Sequence, residues 1–99
     1  MEKQSKQAYL DKVNARIKEL GARLDQLKAK ANQVDAETKI KFNQQIEKLL
    51  QKKQEMETRL DKIKTSSKGA WSNLKIGLDT AMSDLKTGIE KAIAEFKKK

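Results

Sequence analysis

Hydrophobic residues recur through residues 8–35 at Leu10, Val13, Ile17, Leu20, Leu24, Leu27, Ala31 and Val34, with steps that alternate 3, 4, 3, 4, 3, 4, 3. That spacing is the a/d seam of a heptad repeat, written by a slightly under-wound helix that packs along one stripe. Ala8, Ala15, Ala22, Ala29 and Ala36 fall at f, on the far side from the seam. Alanine there reads first as the best exposed helix former, and second as a shallow contact face for another helix. Gly21 stands at e, beside the seam, where it weakens the helix by about 1 kcal/mol without ending it. Glu19–Arg23, Glu37–Lys41 and Glu55–Arg59 place acid before base at i,i+4, the supportive orientation on a helix surface.

The seam continues beyond Val34 through Thr38, Phe42, Ile46, Leu49, Lys53, Met56, Leu60 and Ile63, with steps of 4, 4, 4, 3, 4, 3, 4, 3. Three consecutive fours amount to one inserted residue, which locally relaxes a supercoil. Two architectures follow. In the preferred one a single helix runs from about residue 4 to residue 64, ~90 Å at 1.5 Å per residue, because Ala29–Phe42 contains neither Gly nor Pro. In the alternative the chain turns near residues 32–35 with Asp35 as a new N-cap, which makes three helices of similar length and a three-helix bundle. Thr65-Ser66-Ser67-Lys68-Gly69 is a break in either case, since small polar residues and Gly favour caps and turns.

From Trp71 the period changes to eleven: Trp71–Ala81, Met82–Ala92, then Ile93 onward, with Leu-Lys at the same place in the first two repeats. Eleven residues make three turns of a slightly over-wound helix. Trp71, Leu74, Leu78, Ala81, Met82, Leu85, Ile89, Ala92, Ile93 and Phe96 share one arc, edged by Lys75, Lys86 and Lys97 on one side and Gly77 and Gly88 on the other. The arc reads first as a packing face, with the Gly edge permitting close approach. The rival is a lipid-facing surface with lysine stems beside it. Trp71 divides in the same way, between a helix–helix core plug and an interfacial anchor.

Composition narrows the picture. The chain has 99 residues, 37% charged and 4% aromatic, with no Pro, Cys or His. This mix with sustained helical periodicity signals a coiled coil or long helices. Without Cys and His there is no disulfide, thiol or imidazole chemistry, and none of the usual zinc sites. No catalytic, cofactor-binding or metal site is read: Glu55 and Glu57 point to different sides of a helix, and Gly69, Gly77 and Gly88 follow helix turns rather than a phosphate loop. The chain reads as a non-enzyme with no small-molecule substrate and no cofactor. Net charge is +9, spread along the chain apart from Lys97–Lys99, and only Arg16, Arg23 and Arg59 are Arg. Nucleic-acid contact is therefore at most non-specific, because neither a stacking platform nor a basic stripe is present. The opening Met-Glu-Lys-Gln-Ser has no apolar leader core and no run reaches the ~20 apolar residues of a membrane span. As it stands the chain reads as cytoplasmic, or as the mature form of an exported protein.

The run Gly69-Ala-Trp-Ser-Asn-Leu-Lys-Ile-Gly-Leu-Asp-Thr-Ala resembles the C-terminal element of small bacterial coiled-coil proteins, a Gly-x-Ala-Trp-x-x-Leu-Lys-x-Gly pattern followed by a helix that ends near a Phe. Here Gly69 stands immediately before Ala70. Ala8-Tyr9-Leu10-x-Lys12 and Ala29-Lys30-Ala31 are similar to the same family. The resemblance implies an all-helical protein without assigned catalysis. The Lys-x-Gly eleven-mers also look like apolipoprotein-like and synuclein-like repeats, which implies lipid binding by analogy of amphipathicity.

Together these readings predict an all-α single unit: a heptad segment over 8–64, a turn at 65–69, and an eleven-residue-repeat helix over 70–97 folded back as an antiparallel hairpin. Leu10, Val13, Ile17, Leu20, Leu24, Leu27 and Val34 are the expected oligomer seam, since a helix of ~90 Å outruns a partner half its length. Trp71, Leu74, Leu78, Met82, Leu85, Ile89 and Phe96 are the expected hairpin-packing or lipid face. The expected function is helical interaction or scaffolding by a homo-oligomer; the alternative is peripheral binding to an anionic membrane surface.

Overall fold

The computed structural model describes residues 6–97. Gln4, near which the sequence places the start of the first helix, and Lys98 and Lys99 lie outside them. Three helices follow in order: α1 Lys6–Ala31, α2 Ala36–Lys64 and α3 Lys68–Lys97. They form a rod of 52 × 20 × 16 Å, a little longer than the ~45 Å of one thirty-residue helix at 1.5 Å per residue.

The expected unbroken helix over 4–64 is therefore corrected. The chain turns at residues 32–35, and the three-helix bundle is the architecture adopted. Asp35 opens α2 as its N-cap with φ −64° and ψ 164°. The physical reason lies in what covers the seam. A continuous helix would expose the Leu10–Leu27 stripe along half its length, whereas turning at 32–35 lays α1 against α2 and α3. Each large aliphatic side chain so buried is worth about 1.5–3 kcal/mol, far more than a break in one run of good helix formers costs.

The second turn falls where the Ser/Gly cluster predicts it. Ser66 donates its hydroxyl to the Ile63 carbonyl at 2.7 Å, and the Ala70 amide donates to Ser67 Oγ at 3.3 Å as α3 begins. Lys6 reaches across from α1, its ammonium donating to the carbonyls of Lys64 at 3.0 Å and Ser66 at 2.8 Å. The first is a carbonyl that the end of α2 leaves without an intrahelical partner and the second belongs to the turn itself, so the α2–α3 turn is fastened by groups from both sides.

One core runs the length of the rod. Leu10, Val13, Ile17, Leu20, Leu24, Leu27 and Ala31 of α1 meet Phe42, Ile46, Leu49, Met56, Leu60 and Ile63 of α2 and Leu78, Leu85, Ile89 and Ala92 of α3. Seam position Lys53 is half-buried and its stem lies over Gly21, where a β-carbon would stand 3.1 Å from Lys53 Cε. Missing side-chain bulk at e thus makes room for a lysine at a seam position.

Candidate interaction surfaces

The structure places the expected seam inside the chain. Leu10, Val13, Ile17, Leu20, Leu24 and Leu27 are all at most 6% exposed within a single copy. Val34 is the exception, half-buried in the α1–α2 turn. The uncovered stripe that motivated a homo-oligomer is thus covered by the chain's own α2 and α3.

The eleven-residue arc is divided. Leu78, Leu85, Ile89 and Ala92 are fully buried, while Trp71, Leu74, Ala81, Met82, Ile93 and Phe96 pack against the core and stay half-exposed. Gly88 and Gly77 face α2: a β-carbon on Gly88 would lie 2.6 Å from Leu49 Cδ2, and one on Gly77 would lie 3.0 Å from Arg59 Nη1. The Gly edge of the arc is a line of close approach to α2.

The opposite flank of the arc runs along the g column of α1, which carries Tyr9, Arg16, Arg23 and Lys30. Tyr9 is 3% exposed, and the heptad pattern alone gives no sign of it. In a three-helix bundle each helix touches two neighbours, so its apolar stripe widens beyond a and d into one flanking column. The Tyr9 hydroxyl donates to Asp79 Oδ1 at 2.7 Å. Its ring lies 5.7 Å from that of Trp71, and Lys75 Nζ sits 5.3 Å from its centroid. Burial, and then the hydrogen bond and negative charge of Asp79, push the Tyr9 phenol well above its ordinary pKa. Farther along, Lys30 lies 6.0 Å over the Phe96 ring, which meets Phe42 edge-on at 5.0 Å.

Between these two clusters the α1–α3 flank opens into a groove of about 570 Å³ lined by Arg16, Glu19, Arg23, Asp79, Ser83 and Lys86 over Leu20 and Met82. Its rim mixes three bases with two acids, so it is only mildly positive. The pairs Glu19–Arg23, Glu37–Lys41 and Glu55–Arg59 do not close to ion-pair distance among the described residues. Lys53–Glu57 and Asp61–Lys64 do, each at 3.7 Å, and as exposed pairs they add little to stability.

Ala8, Ala15, Ala22, Ala29 and Ala36 are exposed on the outer side, as the far side of a covered seam requires. Ile76 at 67% and Ile40 at 59% are large hydrophobic residues left in water. Among the described residues no helix is long and apolar enough to cross a membrane, and no acidic cluster of metal-binding size occurs.

Compared with family models, with curated proteins and with solved structures, the chain matches none of them. The resemblance seen around Trp71–Leu78 lends the function no support beyond its own residues.

Proposed function

We propose that the chain is a non-catalytic helical interaction and scaffolding protein whose first partner is another copy of itself. The observation that carries this reading is the sorting of the molecule. Heptad seam and eleven-residue arc meet in one continuous core, and outside it lies a shell of charged residues and exposed alanine. Such a rod presents a charged outer surface suited to contact. Because the seam is closed within one chain, copies share it only by exchanging a helix. Sedimentation equilibrium from low to several hundred micromolar (about the range in which weak helical assemblies populate) tests the reading. Dimer growing with concentration is the expected result. A monomer throughout, even after refolding at the highest concentration, removes self-association.

A second reading has its own observation. Trp71, Leu74, Met82, Ile93 and Phe96 are only half-covered, beside Lys75, Lys86 and Lys97. An anionic membrane surface suits that combination. It engages the whole arc only if α3 leaves the bundle, since Leu78, Leu85, Ile89 and Ala92 have no exposure. Titrating anionic and neutral vesicles while following Trp71 emission separates the two. The scaffold reading expects no shift. A blue shift on anionic vesicles that salt weakens supports the membrane reading.

A further inference from the structure

We infer that the α1–α2 turn is a hinge for helix exchange: residues 32–35 straighten, α1 and α2 join into one helix, and α1 of each copy docks on α2 and α3 of the other. This rests on the self-association proposed above and specifies how it occurs.

The turn is close to helix already. Asn32 donates its amide to the Lys28 carbonyl at 3.3 Å, continuing the α1 ladder by one bond, and Gln33 donates to the Lys30 carbonyl at 3.0 Å, a three-residue step that tightens the last turn. On the other side the Lys39 amide donates to the Asp35 carbonyl at 2.9 Å, the first helical bond of α2. Asp35 holds φ at −64°, the helical value, and only its ψ of 164° departs from helix, where ψ is about −42°. No described residue has positive φ, and the turn contains neither Gly nor Pro. Straightening turns the Asp35 ψ from 164° to about −42°, and no residue type in the turn forbids that.

The hydrophobic pattern fits both states. Ala31, Val34, Thr38 and Phe42 follow one another at steps of 3, 4 and 4, so a straightened segment keeps its apolar residues on the seam. Val34, half-buried at the corner of the monomer, then becomes an ordinary seam residue. The other turn behaves oppositely. Ser66 and Ser67 cap it with their own hydroxyls, so α3 stays folded on its own α2.

Exchange preserves every interhelical contact. Gly21 still receives Lys53, and Tyr9 still meets Asp79 and Trp71, with the two residues of each pair now on different chains. A closed two-fold dimer results, because the same surfaces serve both copies. Its long helix spans about 90 Å at 1.5 Å per residue, the length that the unbroken seam predicts.

Ala36→Pro distinguishes the states. Position 36 is the first residue of α2, where Pro is tolerated, and the extended ψ of Asp35 is what a residue before Pro prefers. In a continuous helix the same ring collides with the carbonyl of residue 32. Asp35→Ala acts in the other direction, because alanine favours helix at residue 35 more than aspartate does. The chain has no Cys, so spin labels at Ala22→Cys and Lys52→Cys, both exposed, report on the turn. Mixing doubly labelled protein with excess unlabelled chain isolates the distance within one copy. That distance is short in the bundle, where Gly21 touches Lys53, and about 45 Å if thirty residues of helix separate the labels.

The expected result is a dimer whose intrachain distance is the long one. Ala36→Pro should lower the dimer population at least about tenfold while staying helical, and Asp35→Ala should raise it. A dimer with only the short distance overturns exchange and leaves self-association standing through outer surfaces. Dimer formation by helical Ala36→Pro at the wild-type level overturns the hinge in the same way. No dimer from wild type or from Asp35→Ala overturns both exchange and self-association.

Discussion

Leu49 of α2 occupies the space that a side chain on Gly88 of α3 would need: a β-carbon there would stand 2.6 Å from Leu49 Cδ2. Leu49 is 6% exposed and has little room to retreat, so overpacking by about 1–3 kcal/mol outweighs the ~1 kcal/mol that Ala gains over Gly in a helix. Gly88→Ala should therefore destabilise the bundle by about 1 kcal/mol. Gly77 meets only the flexible tip of exposed Arg59, so Gly77→Ala should stabilise by about 0.5–1 kcal/mol. Urea unfolding of the two variants checks this, and a stabilising Gly88→Ala would show that α2 and α3 are not so close.

Tyr9 gives the stability a dependence on alkaline pH. Its phenol titrates above its ordinary value of 10.0 when folded, so the folded chain holds this proton more tightly than the unfolded chain does. Stability from this group is complete below pH 10 and falls as pH rises above it, where the unfolded tyrosine ionises first. Tyr9→Phe should cost about 1 kcal/mol at neutral pH through the lost hydrogen bond. The gap between wild type and variant should then shrink above pH 10, lysine titration being common to both. A gap that stays constant from pH 8 to 11.5 (roughly the window around the phenol and lysine values) would count against a buried, Asp79-bonded tyrosine.

Much of this fold is legible in the sequence. The alternation of threes and fours marks Leu10 through Ala31 as one buried stripe, and the same alternation, shifted by one residue, finds Phe42, Ile46, Leu49, Met56, Leu60 and Ile63. The cluster at Thr65–Gly69 marks the second turn, because Ser and Gly announce caps by their own chemistry. The first turn is not legible. Asn32-Gln33-Val34-Asp35 is acceptable to a helix and to a corner, and the decision rests on which distant surface covers the Leu10–Leu27 stripe. Tyr9 is hidden for a related reason: its column is buried only once α3 lies alongside with Asp79. The arc from Trp71 to Phe96 is legible as a face, but its half-covered rim depends on how far α1 and α2 spread beneath it.

Core truncation should separate seam positions that the heptad treats alike. Leu24 has no exposure, and Leu24→Ala should cost about 2–5 kcal/mol. Val34 sits half-covered at the turn, and Val34→Ala should cost no more than about 1 kcal/mol. Denaturation of dilute protein, with a midpoint independent of concentration, is the measurement. Equal costs would mean that a single chain does not cover its own seam.

Lys6 should matter more than its place at the start of α1 suggests. Replacing it with Met keeps the stem and removes the bonds to the Lys64 and Ser66 carbonyls, at a cost of about 1–2 kcal/mol. Amide exchange at residues 66–70 should quicken in the variant. Unchanged exchange there would show that the serine caps hold the turn alone.

Tyr9 and Trp71 are the sole tyrosine and the sole tryptophan of the chain, and their ring centroids are 5.7 Å apart. At that range an excited phenol passes its energy to the indole instead of emitting, so a docked α1 keeps the tyrosine dark. Lifting α1 away from α3 lights it. Exchanging α1 between copies does not, because the phenol then finds the other chain's indole. The protein thus carries an unlabelled optical gauge that senses whether α1 is seated and is blind to which copy it belongs to.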